Sequence, residues 1–308
     1  MTYTSIKENK GYGYLMATIS ALLWSGNFII AKNVAGKIPP ATLSFYRWTI
    51  AALILTPFVF NKLKEQKDEI KKNKWHLIFT ALFGISIFNT CAYIAASDVP
   101  AIHLALFSAT ASPIFSIILA GIFLKEEINI IKVAGIVISI VGILSLLTKG
   151  SLHNLSGFTF HKADLWILAA AISFAIYNIL VRTKPTTLHP KTFLVTVFWI
   201  GILFLLPFFI YEQFQSPTPM NATNIGSILY LGIGASLIAY LCWNAAIRRI
   251  GAGRTALFGN LIPVFSMIEA VLILGETLSI NQAISSLLII TGLVVANGSK
   301  SQNLKIKS

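Results

Sequence analysis

The sequence predicts an all-α integral membrane fold of ten transmembrane helices built from two inverted five-helix repeats. Three observations predict it. The first is composition: 56% of the 308 residues are hydrophobic, 11% are charged, and the mean hydropathy is +0.76. A soluble core of this length cannot hide so much apolar surface, so much of the solvent is hydrocarbon. The second is an internal repeat at a displacement of 150 residues, in which Ser236 to Leu293 repeats Ser86 to Ile143. Pro113-Ile114-Phe115-Ser116 returns as Pro263-Val264-Phe265-Ser266, Leu124-Lys125-Glu126 as Leu274-Gly275-Glu276, and Gly84 and Gly142 as Gly234 and Gly292. Pro40, Leu53, Pro57 and Phe58 likewise meet Pro190, Leu203, Pro207 and Phe208. Three of the five prolines in the first half thus have a mate, against roughly 0.2 expected by chance, which marks a duplication within the chain. The third is charge placement. With both termini inside, 19 Lys and Arg fall on the inner side and four on the outer, the bias that orients membrane proteins.

A membrane helix needs about 17 to 25 mainly apolar residues. Ten such windows follow in order: 13–34, 41–60, 75–96, 101–124, 129–148, 164–182, 191–211, 225–247, 252–274 and 279–297. The first is preceded by Lys7 and Lys10, yet it is too long for a signal peptide and carries Trp24 and Asn27. The repeats span 13–148 and 164–297. Each holds five spans, an odd number, so the second begins on the opposite side from the first. Loop charges agree: 61–74 carries six lysines and is read as inside, whereas its counterpart 212–224 has Glu212 and neither Lys nor Arg.

Ionisable groups are costly in hydrocarbon, by about 2.5–3.5 kcal/mol on insertion scales. Arg47 and Glu269 are the two clearly inside spans. Both lie in the outer half, Arg47 about 9 Å and Glu269 about 7.5 Å deep at 1.5 Å per residue. Arg47 either snorkels to the headgroups or pairs with a carboxylate or a substrate anion. Burial favours a neutral Glu269 and a nearby Arg47 a charged one, so Glu269 is the candidate for proton coupling. A second constellation is polar and aromatic: Trp24, Asn27, Asn89, Tyr93, Thr110, Tyr177, Asn178, Tyr240, Trp243, Asn244 and Asn260, with Ser108 beside them. Asn89 with Tyr93, and Tyr240 with Asn244, are four apart and share a helical face. These residues either bind a substrate in a shared cavity or make helix–helix hydrogen bonds. Pro113 and Pro263 interrupt their spans and are candidate gating kinks. Glu126 and Glu276 are expected to hold the turn to the next helix through its backbone N–H groups. Small residues at Ala134, Gly135, Ser139 and Gly142, and at Ser285, Ser286 and Gly292, suit close packing between the halves.

Trp24 and Asn27, the run Phe45-Tyr46-Arg47-Trp48 with Ala51-Ala52-Leu53 and Pro57-Phe58, and the paired Pro-x-Phe…Leu-x-Glu blocks at 113–126 and 263–276 resemble the EamA-type branch of the drug/metabolite transporter superfamily. The likeness covers residues 14 to 297. It implies ten helices in two inverted repeats, with spans 1, 3, 4, 6, 8 and 9 around a central cavity. It also implies that Arg47 is a family feature with a structural or gating role and not a substrate-specific one, and that Glu269 departs from an apolar or small position.

The expected function is a secondary transporter that moves a small polar solute, an amino acid or related metabolite, outward by alternating access. Uptake and drug export on the same fold are the alternatives. The expected partners are the small-molecule substrate, the lipid bilayer and, if transport is driven, protons; the oligomeric state is left open. The expected location is a bacterial plasma (inner) membrane with both termini cytoplasmic. No cofactor, metal or nucleic acid is expected. The basic charge sits at one face of the membrane, no GxxxxGK[ST] is present, and His153 and His161 lack a third ligand. An intramembrane transferase would need clustered acids, and Asp98 with His103 stand without another. Cys91 and Cys242 lie within spans and read as packing residues.

Overall fold

The computed structural model describes residues 10–34, 36–98, 101–126, 128–148, 162–274 and 280–298, all in helices or short connections. Ten long helices follow in order among the described residues. In the first half they are α1 Lys10–Val34, α2 Pro40–Glu65, α3 from Lys74 to Asp98, α4 Ala101–Leu124 and α5 Ile130–Leu147. In the second half they are α6 Lys162–Arg182, α7 Pro190–Gln215, α8 from Ala222 to Ile250, α9 from Ala252 to Leu274 and α10 Ile280–Gly298. A short polar helix, Lys67–Lys72, lies between α2 and α3 with no buried residue. All ten expected spans are thus helical where described, with ends displaced by up to five residues. Five described segments are both long and apolar enough to cross a membrane: Pro40–Glu65, Lys74–Ala95, Leu165–Arg182, Pro190–Gln215 and Ala222–Ile250. Shorter apolar stretches occupy Ala111–Leu124, Ile130–Ser145 and Ala283–Gly298.

The inversion is visible where equivalent helices meet. Along α5, Gly135 abuts Gly292 and Ala296, Gly142 abuts Ile289, and Ser145 Oγ accepts from Ser285 Oγ at 2.9 Å. The partners fall from 296 to 285 as α5 rises from 135 to 145, so α5 and α10 are antiparallel. The seam is also reciprocal: Gly142 meets Ile289, and Gly292 meets Ser139, which is Ile289 less 150. α2 and α7 behave alike, with Thr42 beside Gln213, Thr56 beside Trp199 and Gln66 beside His189. The remaining contacts keep the same two-fold relation, α1 packing on α8 as α6 packs on α3.

Two features of the backbone were not legible in the sequence. α3 and α8 each contain a π-helical stretch at equivalent places, Leu82–Ile87 and Leu231–Ile238. A π turn leaves carbonyls poorly matched within the helix. Here side chains from other helices satisfy several: Ser173 Oγ donates to Phe83 O, Tyr240 OH to Gly84 O, and Trp24 Nε1 to Ala235 O, at 2.7, 3.0 and 2.9 Å. The second feature is in α9, where a 3-10 turn, Phe258–Leu261, divides two α-helical segments before Pro263. α4, its equivalent, runs unbroken through Pro113.

Lipid-facing positions carry large apolar side chains. Leu53 and Phe58 and their mates Leu203 and Phe208 are all exposed on the outside of the bundle.

Candidate functional site

A partly open cavity with about 750 Å³ of atom-free space lies between the two halves. Trp24, Asn27, Asn89, Tyr93, Tyr240 and Trp243 from the expected constellation line it, together with Arg47 and Pro113. The small and aromatic residues Phe88, Ala92, Ser112, Ala170, Ala171, Phe174, Ala256 and Gly259 complete much of the wall. These were not singled out from the sequence. Their signal is the run of small residues opposite bulky ones at mid-span.

Arg47 is the charged group of this lining, and only 1% of it is exposed. It does not snorkel. Its Nε donates to Ser236 Oγ at 2.6 Å, and its Nη1 to Asn27 Oδ1 at 3.0 Å, to Asn89 Oδ1 at 3.2 Å and to the Tyr93 hydroxyl. Four helices, α1, α2, α3 and α8, are therefore tied by one guanidinium. Every partner is neutral. Nη2 has no protein acceptor among the described residues, although the side chain borders the cavity. A buried cation without an anionic partner is costly, and a ligand anion compensates it.

Aromatic rings form another part of the lining. The Trp24 ring lies 4.7 Å from Trp243, 5.5 Å from Phe174 and 5.6 Å from Tyr240 between centroids. The polar tips are turned away and used within the fold. Trp243 Nε1 donates to Asn178 Oδ1 at 2.8 Å, as Trp24 and Tyr240 donate to backbone carbonyls. The cavity thus meets ring faces more than hydrogen-bonding atoms.

Tyr177, Asn178 and Asn244 are outside the lining. Asn178 Nδ2 donates to Ser116 Oγ at 3.1 Å and Asn244 Nδ2 to the Tyr177 hydroxyl at 2.6 Å, so these side chains tie helices together. Asn260 is buried within the 3-10 turn with its Oδ1 unpaired among the described residues, and neither it nor Pro263 borders the cavity. The side chain of Thr110, like that of Ser108, lies outside the described residues, as does Glu276.

Glu269 accepts a hydrogen bond from Ser25 Oγ at 2.6 Å and forms no ion pair with Arg47. The ion pair found among the described residues is Lys132 with Glu126, at 3.9 Å. The Glu126 carboxylate, paired with Lys132 in the first turn of α5, also lies against Gly251 and Gly253 at the start of α9. Gly251 has φ +89, and a Cβ there would come within 2.9 Å of Glu126 Oε1, so glycine admits both the turn and the carboxylate.

Comparison with known proteins agrees with this architecture. The family model described as the EamA-like transporter family matches residues 11–148 and 161–298. An uncharacterized transporter of Bacillus subtilis is 27% identical, over 92% of this chain and 93% of its own. An uncharacterized transporter of Archaeoglobus fulgidus is 28% identical, covering 94% and 98%. A Salmonella typhimurium protein named "probable amino-acid metabolite efflux pump" is 27% identical, covering 91% and 93%. A crystal structure 20% identical in sequence superposes with a TM-score of 0.73, over 94% of this chain and 97% of that one.

Proposed function

The chain belongs to the EamA-like transporter family, and from that premise we propose that its cargo is a small carboxylate-bearing metabolite, an amino acid or close relative. It is a multi-pass membrane transporter and not an enzyme. The proposed direction is outward across a bacterial plasma membrane, by rocking of the two inverted repeats about the central cavity. One observation carries the choice of cargo: Arg47 is buried at the cavity wall, has only neutral partners, and keeps Nη2 uncommitted. A carboxylate meets a guanidinium with charge-assisted hydrogen bonds. The faces of Trp24 and Trp243 suit the body of the solute and the ammonium of an amino acid. The names of the Salmonella and Escherichia coli relatives, both "probable amino-acid metabolite efflux pump", support the same class.

Counterflow in proteoliposomes with labelled amino acids, and with matched amides lacking the carboxylate, tests this reading. Saturable exchange of a carboxylate-bearing solute, with its amide excluded, is expected. Equal exchange of acid and amide would remove the carboxylate from the account.

Glu269 is the proposed coupling group. Glu269→Gln keeps the shape and the Ser25 contact but removes the ionisable oxygen. It should abolish accumulation driven by an imposed pH gradient while downhill exchange persists. Accumulation that survives in the variant assigns coupling elsewhere.

The proposed orientation is read by cysteine accessibility in a background lacking Cys91 and Cys242. A cysteine at Asn221 should react with an impermeant reagent in sealed cells, and one at Glu69 should react only after lysis. The reverse pattern would invert the assignment.

A further inference from the structure

The two copies of the repeat treat one helix end in opposite ways. α2 and α7 both start with a proline after an extended residue, Pro39 before Pro40 and His189 before Pro190. Such a start leaves the next backbone N–H groups without helical partners and facing outward along the axis. At α2 a carboxylate fills the place: the N–H groups of Ala41 and Thr42 donate to Glu212 Oε1 and Oε2, at 3.1 and 2.6 Å. Gln213 Nε2 also donates to Thr42 Oγ1, at 3.3 Å. The equivalent groups at α7 are the N–H groups of Lys191 and Thr192. The equivalents of Glu212 and Gln213 are Lys62 and Leu63, a cation and an apolar residue. Among the described residues no side chain accepts from these N–H groups, and the buried Thr192 Oγ1 and His189 Nδ1 have no hydrogen-bond partner. The second copy therefore keeps the anion-binding backbone and has lost the protein's own anion.

The surroundings are positive. A groove with about 780 Å³ of atom-free space runs beside the start of α7, lined by Lys191, Arg248 and Arg249 and by Met16, Leu194 and Leu241 among others. Among the described residues no carboxylate lines it. Glu69, the nearby acid, is engaged with the hydroxyl of Thr187. Burial, followed by the charges of Lys62, Lys191, Arg248 and Lys184, holds the His189 imidazole below its usual pKa. The same field attracts an external anion.

We propose that the start of α7 binds a phosphate oxyanion from outside the chain, on the Lys191 N–H group and the Lys62 and Lys191 ammonium groups. Helix N-termini bind phosphate through such N–H groups, and basic pockets between membrane helices take lipid headgroups. Either the headgroup phosphate of an anionic phospholipid, its chain along the apolar lining residues, or free phosphate supplies this chemistry.

The test uses the purified full-length protein in neutral detergent, with the thermal unfolding midpoint followed as ligand is added. The probes are dioctanoyl phosphatidylglycerol, dioctanoyl phosphatidylcholine and inorganic phosphate, with sodium chloride matching ionic strength. A saturable rise with phosphatidylglycerol that phosphatidylcholine and phosphate do not reproduce supports the proposal and assigns the lipid. An equal rise with inorganic phosphate supports it and assigns the free anion. No rise with either, or equal rises with both lipids, overturns it. Lys62→Glu gives α7 the carboxylate that α2 already has. Lys62 is exposed, so the change leaves packing intact. The variant should start with a higher midpoint and bind the effective probe at least about tenfold more weakly, since a charge-assisted contact is replaced by repulsion. Wild-type affinity in Lys62→Glu and in Lys191→Gln overturns the site.

Discussion

Replacing Arg47 with Gln is expected to abolish discrimination between a carboxylate substrate and its amide, and to lower affinity for the carboxylate by about ten- to a hundredfold. The range follows from a hydrogen bond to a charged group being worth about 1.5–3 kcal/mol, with 1.4 kcal/mol to each decade of affinity. Part of the loss is structural, because Asn27, Asn89, Tyr93 and Ser236 all lose a partner at once. Each buried polar group left unsatisfied costs about 1–3 kcal/mol, so the Gln variant will also be less stable. Arg47→Lys separates the two effects. It keeps the charge, but one ammonium cannot reach Ser236 on α8 while also holding Asn27 and Asn89 on α1 and α3. The Lys variant should retain preference for acid over amide and lose rate. If Arg47→Gln is folded and still prefers the acid, Arg47 is a tie between helices and nothing more.

The fold was largely legible because its signals are long-range and redundant. Apolar windows, the displacement of 150 and the lysines of 61–74 each point to the same arrangement. Several residues that reveal the duplication, Leu53, Phe58, Leu203 and Phe208, face lipid and have no part in the cavity. Repetition therefore identified the scaffold and not the site. The site was legible in part. A polar residue in a span must find a partner, but its identity does not say whether that partner is a solute or another helix. Tyr177 and Asn244 found each other, and Asn178 found Ser116 and Trp243. Trp24 and Tyr240 line the cavity, yet their donors serve the carbonyls of π stretches that periodicity alone does not reveal.

The Arg47 cluster also breaks the two-fold relation. Its mate is Val197, and Asn89 meets Ala239 under the same displacement. Duplication supplied two exchangeable shapes, whereas the one buried charge of the cavity belongs to the first copy. Under the proposed alternating access, a site reached by both access paths needs only one such charge.

Gly292→Leu is expected to have the largest effect on folding. A Cβ at Gly292 would overlap Ser139 Oγ and stand 2.5 Å from both Gly135 O and Ser139 N. Backbone atoms of α5 cannot turn aside as a side chain can, so the two helices must separate along the seam that joins the repeats. Overpacking typically costs about 1–3 kcal/mol, and a clash with backbone on a shared helix interface should reach or pass the upper end. Gly142→Leu should behave alike, because its Cβ would stand 2.8 Å from Ile289 N in the reciprocal contact. Gly226→Ala is the control: it lies in α8 with nothing within 4 Å of the added Cβ, and removing a helical glycine is neutral or favourable by up to about 1 kcal/mol. Thermal midpoints and the recovery of monodisperse protein in detergent measure all three. A wild-type midpoint for both seam variants would mean that α5 and α10 do not approach this closely. A loss in Gly292→Leu alone would mean that the two-fold contact is tighter on the Ser139 side than on the Ile289 side.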